Sequence, residues 1–153
     1  MPDETYTVRP VGWVENGVES VEDESGASLR AGSSTIVVAE AYEEALTNFD
    51  DRVGLVGDGD GRGLLDVIFL FDGVDEADVE LASMSRHGLT AAGVGGVFTR
   101  RTFKRPNRLG LTTVRVRERD GRRLLVEGLD ALDGTPVLDL KPHVDFLAAG
   151  LDG

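Results

Sequence analysis

Residues 112–119 read Thr-Thr-Val-Arg-Val-Arg-Glu-Arg, an alternation of apolar and charged positions with the period of two that belongs to a half-buried strand. Asp120-Gly121 follows as a two-residue turn and residues 122–129 return as a second strand, so this stretch predicts a β-hairpin. Residues 64–71 are apolar on both faces apart from Asp66, the pattern of a central strand covered on each side. A first strand is predicted over 6–14, with Val8, Val11 and Trp13 apolar and Pro10 marking an edge or bend. Residues 35–38, Thr-Ile-Val-Val, form a short β-branched strand. Over 40–49, Ala41, Ala45, Leu46 and Phe49 recur at helical spacing, whereas 75–86 fits either a short helix or an acidic loop.

Glycine and acidic residues punctuate the rest. Residues 15–34 read as a long loop, either functional or a disordered acidic insertion. Residues 58–63, Asp-Gly-Asp-Gly-Arg-Gly, lack the closing glutamate of a calcium loop and read as a turn. The Gly93-Val94-Gly95-Gly96 run precedes no helical periodicity, so it reads as the bend entering a strand at Val97. Strands dominate without any βαβ alternation. The predicted fold is mainly β, a small antiparallel β-barrel with one or two short helices, as a single domain over 1–153.

A length of 153 residues suits one domain with a real core. No apolar run approaches a bilayer span, and the acidic N-terminus has neither a basic nor an apolar leader region, so a cytoplasmic protein with no membrane partner is expected. The absence of cysteine excludes disulfides and thiol chemistry. His87 and His143 lie far apart in sequence, and no metal site is expected.

The net charge of −12 argues against nucleic acid until its distribution is considered. Residues 1–95 hold 20 acidic side chains against 5 arginines, and residues 96–153 hold 8 against 11 basic ones. Within 100–123 there are 10 basic and 2 acidic side chains, a basic stripe on an acidic body and thus a possible RNA footprint. For Arg115, Arg117, Arg119, Arg122 and Arg123 a solvated strand face is an equal alternative. Only 2 of the 16 basic residues are lysine. Acid-rich, lysine-poor composition suits a high-salt cytoplasm, so a halophilic source is expected, and such salt screens the body's repulsion of RNA over a few Å.

Two dense motifs flank the hairpin. The first reads Gly96-Val97-Phe98-Thr99-Arg100-Arg101-Thr102-Phe103-Lys104-Arg105-Pro106-Asn107-Arg108-Leu109-Gly110-Leu111, and the second Leu129-Asp130-Ala131-Leu132-Asp133-Gly134-Thr135-Pro136-Val137-Leu138-Asp139-Leu140-Lys141-Pro142. Five cations within nine residues, interrupted by Pro106, repel one another unless an anion or carboxylates meet them. Asp130, Asp133 and Asp139 of the second motif are such carboxylates. Together the motifs resemble the TsaA-like family, also called TrmO. His143 stands where that family has an aromatic residue, and Thr102 and Thr112 stand where it has serine.

The resemblance implies a small β-barrel that uses S-adenosylmethionine to methylate the exocyclic N6 of a threonylcarbamoylated adenosine beside the tRNA anticodon, working as a homodimer. It implies cofactor binding by Arg101, Arg105, Leu111, Leu129, Asp130, Asp133, Gly134 and Thr135, with Asp133 and Asn107 catalytic. The chemistry suits these residues: the cofactor presents a carboxylate for a guanidinium such as that of Arg101, and a cationic part for Asp130, Asp133 and the carbonyls around Leu129. Arg105 and Asn107, fixed by Pro106, would align the cofactor or hold a phosphate of the anticodon loop. Structural alternatives are a carboxylate-capped turn at 130–135 and a buried Arg105–Asp139 ion pair.

The first half departs from the family pattern. Glu15-Asn16 stands where the family has a basic residue, Leu29-Arg30-Ala31-Gly32 is the one counterpart of its Pro-Arg-Gln stretch, and the central strand lacks the flanking Ser-His and Phe-His. These departures leave two other functions open, a non-catalytic barrel binding RNA or a nucleoside-like ligand and a cofactor sensor. Pairing of copies is expected through exposed barrel edges and the apolar Val137-Leu138 and Phe146-Leu147 segments.

Overall fold

The computed structural model describes residues 3–20, 30–55, 63–84 and 94–147. Among these, the strands are β1 (Gly12–Glu15), β2 (Ser33–Val38), β3 (Leu64–Leu70), β4 (Ala82–Met84), β5 (Val94–Gly96), β6 (Leu109–Asp120), β7 (Arg123–Glu127) and β8 (Pro136–Pro142), with one short helix α1 (Phe49–Val53). Six strands close into an antiparallel barrel in the order β1-β2-β7-β6-β3-β8, while β4 and β5 form a separate ribbon. The mainly β, barrel-like expectation is met.

The period-two pattern explains the core. Along β3, Leu65, Val67 and Phe69 are buried while Leu64, Asp66, Ile68 and Leu70 are partly exposed. They meet Val14, Ile36, Val114, Val116, Leu124, Val126 and Val137 from the other barrel strands. The expectation of a strand covered on both faces is therefore corrected, because a closed barrel has a single interior and the outer apolar residues remain half wetted. Gly110 of β6 lies opposite Phe69. A Cβ at Gly110 would come within 2.5 Å of the Phe69 ring, so this glycine is required by close packing.

The predicted hairpin forms, one residue out of step. Asp120 pairs with Arg123, leaving Gly121 (φ +60°) and Arg122 as the turn, and a register shift between Val116 and Glu118 makes Arg117 the extra residue of a bulge. Residues 6–11 stay outside the sheet ladder and β1 starts at Gly12. The helix over 40–49 is also corrected. A 3-10 helix spans Glu40–Leu46, Asn48 enters the left-handed region at φ +59°, and α1 ends at Gly54 with φ +91°. Leu46, Phe49 and Val53 plug the core while Ala41 and Ala45 are exposed, so tertiary contact selects only part of the helical stripe.

Residues 75–84 resolve into a 3-10 turn at Glu76–Asp78, capped by the Asp75 carboxylate, followed by β4. The glycine run is corrected in order: its described part is the strand β5 itself, and Val97–Thr99 is a 3-10 turn. Residues 58–62, His87 and residues 21–29 of the 15–34 stretch lie outside the described residues. Closure leaves the barrel without free edges, and Val137 is fully buried, so of the apolar segments expected to join copies, Phe146 and Leu147 are the exposed part.

Candidate functional site

The first motif is an irregular loop fastened to the barrel by its apolar and backbone groups. Phe103 packs 6.0 Å from Phe71, whose ring lies 5.2 Å from that of core residue Phe69. Buried Val97 donates its N–H to the Leu81 carbonyl, and Glu80 donates its N–H to the Lys104 carbonyl. Pro106 opens a short 3-10 turn whose Asn107 (φ +63°) and Arg108 (φ +52°) both adopt left-handed backbone. The Arg108 carbonyl accepts the Phe71 N–H, and its guanidinium reaches the Val74 carbonyl at 2.5 Å.

Arg105 donates to the carbonyls of Arg100 and Thr102 at 2.8 and 3.2 Å. The expected Arg105–Asp139 ion pair is absent. Asp139 instead pairs with Lys141 at 2.8 Å, because both lie on β8 and reach the same wetted face. A guanidinium tied within its own loop fixes that loop's shape and is not available to the barrel.

Both motifs meet at β6. Arg101 donates to the carbonyl of Leu111, and the next residue, Thr112, donates its hydroxyl to Asp130 at 2.5 Å. Buried Leu129 and Ala131 flank Asp130 and hold its backbone in place. Arg30 approaches the other oxygen of Asp130 at 3.5 Å. The single counterpart of the missing first-half stretch thus arrives beside the second motif. Arg30 and Asp130 thus place a cation and a carboxylate together, the charges that an amino acid requires, while the Leu111 side chain (48% exposed), next to Thr112 along β6, lies on the outer face of the strand.

The alternative of a turn at 130–135 capped by its own carboxylates is corrected: the turn closes on the bond from the Thr135 N–H to the Leu132 carbonyl, and its carboxylates bond other segments, Asp130 that of Thr112. Asp133 accepts the N–H groups of Asn16 and Gly17 at 2.8 and 3.0 Å. These bonds, Gly17 first, hold its pKa below the ordinary Asp value. Gly134 (φ +80°) donates to the Val14 carbonyl, and buried Thr135 contributes its carbonyl to Val14 N–H. Asn16 completes the clasp by donating its side-chain amide to Ala131 carbonyl at 2.9 Å and Ser34 hydroxyl at 3.1 Å. The sequence motifs include Asn16, Arg30 and Thr112 but assign none of them a role in the site. The available signal was a polar residue directly after β1 and a serine-like hydroxyl beside Leu111; neither reveals its partner without the fold.

The hairpin arginines take the other reading. Arg117 forms a two-pronged pair with Glu127 at 2.7 and 2.9 Å, Arg119 meets Asp50 at 2.8 Å, and Arg123 meets Glu15 at 2.5 Å. Mutual hydrogen bonding raises the Arg117 pKa and lowers that of Glu127, and Arg123 is the leading cause of the lowered Glu15 pKa. Arg122 donates to the Val38 carbonyl. The acidic body neutralises this part of the stripe.

His143 directly follows β8. Its Nδ1 lies 3.0 Å from the Asp66 carboxylate, which also accepts the Thr113 hydroxyl at 2.6 Å. A depression of about 300 Å³ bounded by Asn48, Phe49, Asp50, Asp51 and Arg119 includes none of the motif residues. Among the described residues no helix is long and apolar enough to cross a membrane.

A 48-residue segment is 60% identical to a probable S-adenosyl-L-methionine-binding protein of Archaeoglobus fulgidus, covering 31% of this chain and 13% of that protein. A 60-residue segment is 48% identical to the tRNA (adenine(37)-N6)-methyltransferase of Eikenella corrodens, covering 37% of this chain and 34% of the relative. The crystal structure of TrmO from Pseudomonas aeruginosa superposes with a TM-score of 0.66 at 25% identity, over 98% of this chain and 60% of that one. The chain therefore spans less than two thirds of the length of these relatives. The family model described as the tRNA-methyltransferase O N-terminal domain matches residues 25–148, and the chain accordingly belongs to that family.

Proposed function

We propose that this chain is the catalytic barrel of an S-adenosylmethionine-dependent tRNA methyltransferase acting on N6 of the adenosine beside the anticodon, with the threonylcarbamoylated base as substrate. The observation that carries this reading is the junction of Arg101, Leu111, Thr112 and Asp130, which unites the two motifs from opposite sides of the hairpin. Names of relatives matching part of the chain support the same chemistry.

In this reading Arg101 holds the cofactor carboxylate, Asp130 faces its ammonium, and Leu111 offers an apolar shelf to the adenine. Buried Leu129 and Thr135 act through their backbone groups, and Gly134 shapes the turn. Bound S-adenosylmethionine would supply an electrophilic methyl group. Arg105 keeps the loop in shape so that Asn107 meets the nucleoside or an adjoining phosphate. Asp133 takes the N6 proton. Its lowered pKa makes it a weak base, yet the N6 proton becomes strongly acidic as the new bond to nitrogen forms, so a weak base placed nearby suffices. Positioning then contributes more than base strength.

The proposed compartment is the cytoplasm, the acid-rich composition is proposed to reflect a high-salt interior, and a homodimer using exposed Phe146 and Leu147 is the proposed working form. Mass spectrometry of digested tRNA from a gene-deletion strain tests the activity. Loss of one methyl group from the threonylcarbamoylated adenosine is expected, restored by the native gene and not by Arg101→Ala or Asp133→Asn. An unchanged nucleoside profile would overturn the enzyme reading and favour a non-catalytic barrel or sensor.

A further inference from the structure

We propose that Phe98 stacks on an unpaired base of the RNA substrate and that the RNA backbone is received by loop 100–108 and not by the β6–β7 hairpin; this rests on the tRNA reading above. Phe98 is 84% exposed, although its neighbour Val97 is buried. The ring stands on a braced turn. Val97 is anchored to Leu81, Arg100 donates its N–H to the Val97 carbonyl, and the Thr99 hydroxyl bonds the Gly96 carbonyl at 2.7 Å. A rigidly mounted, solvent-facing aromatic ring is costly in water and suits the face of a nucleobase, which binds without demanding a particular sequence.

Charge identifies the occupant. Arg105 and Arg108 direct their guanidinium groups onto carbonyl oxygens of Arg100 and Thr102, and of Val74, as Arg101, assigned above to the cofactor, does onto that of Leu111. Such bonds fix the guanidinium planes and leave the positive charge in place. On the hairpin, Arg117, Arg119 and Arg123 instead bond carboxylates, which cancel it. The two basic segments therefore differ in degree: three hairpin arginines meet carboxylates while Arg122 bonds the Val38 carbonyl, and in the loop Lys104 lies 3.8 Å from Glu80 while Arg105 and Arg108, held on carbonyls, keep their charge for an external polyanion. Phe98 lies three residues before Arg101, at most roughly 11 Å along the chain, a span of one or two nucleotides. The ring can thus grip a base next to the one presented at the Arg101–Asp130 junction.

The test measures binding of an anticodon stem-loop RNA to full-length protein by fluorescence anisotropy at several salt concentrations. S-adenosylhomocysteine affinity and oligomeric mass are followed in parallel. Phe98→Ala should weaken RNA binding about tenfold or more while Phe98→Trp retains it, both with unchanged S-adenosylhomocysteine affinity and mass. Arg117→Gln and Arg123→Gln should bind RNA as the native protein does. Native-like RNA binding by Phe98→Ala would overturn the stacking role and leave the tRNA reading intact. So would a fall in oligomeric mass, because the ring would then be covered by a second copy. A greater loss from the hairpin variants would overturn the assignment of the surface. Failure of the native protein to bind RNA at any salt, with S-adenosylhomocysteine still bound, would overturn both the proposal and the tRNA reading.

Discussion

The Thr112 hydroxyl donates to the Asp130 carboxylate at 2.5 Å across 18 residues of chain, a length expected for an O–H bonded to a charged oxygen. It makes the start of the hairpin hold the turn that follows its end. The arrangement couples the sheet to the site, since β6 and β7 set the distance between the two motifs.

Thr112→Val removes this donor without changing the shape of the side chain. Affinity for S-adenosylhomocysteine, measured calorimetrically, is expected to fall about tenfold, the effect of one hydrogen bond to a charged group. Thr112→Ser should restore it. Equal affinity in all three proteins would remove Asp130 from the cofactor site.

Gly110 faces the Phe69 ring, and an added Cβ meets ring atoms at 2.5 and 2.6 Å. Gly110→Ala should lower stability by about 1–3 kcal/mol through overpacking. Denaturant unfolding in concentrated salt reads this directly. Combining it with Phe69→Leu should give less than the sum of the two single losses, because the two residues share one space.

Asn107 holds a left-handed backbone at φ +63°. Glycine adopts that conformation freely and a β-branched residue does not. Asn107→Gly should therefore unfold at nearly the native denaturant midpoint, while Asn107→Val loses about 1–3 kcal/mol. Equal midpoints for both variants would show that the turn relaxes to another conformation.

Asp133 has a folded pKa below its ordinary value of 3.8 because Gly17 and Asn16 donate to the charged form. A depressed folded pKa means that the stabilising contribution is complete above the unfolded value and is lost as pH falls through the folded one. The amide resonances of Asn16 and Gly17 should hold steady down to the ordinary Asp range and move only below it. A midpoint at or above 3.8 would show that the clasp does not favour the carboxylate.

The β-hairpin was legible because alternation and a turn glycine act over adjacent residues. The 40–49 stretch was not, since helical spacing there competes with the need to insert Leu46 and Phe49 into the end of the barrel. Likewise Val97 was expected to begin a strand, yet with its side chain buried and its N–H bonded to the Leu81 carbonyl it opens a 3-10 turn. The stripe at 115–123 illustrates the limit most clearly: the positive charges are visible in sequence, but Glu127, Asp50 and Glu15, which cancel three of them, come from three separate segments.

Strand periodicity, turn chemistry and the two motifs are local properties, so residue order alone determined a β-rich fold and the family to which the chain belongs. Contacts between distant segments obey no such short-range rule. Closure of the barrel brought Arg30 to Asp130 and Asn16 to Asp133, and it set carboxylates against Arg117, Arg119 and Arg123. Which charges survive to face a substrate depends on partners lying up to 108 residues away, and only the packed chain brings those partners within hydrogen-bonding range.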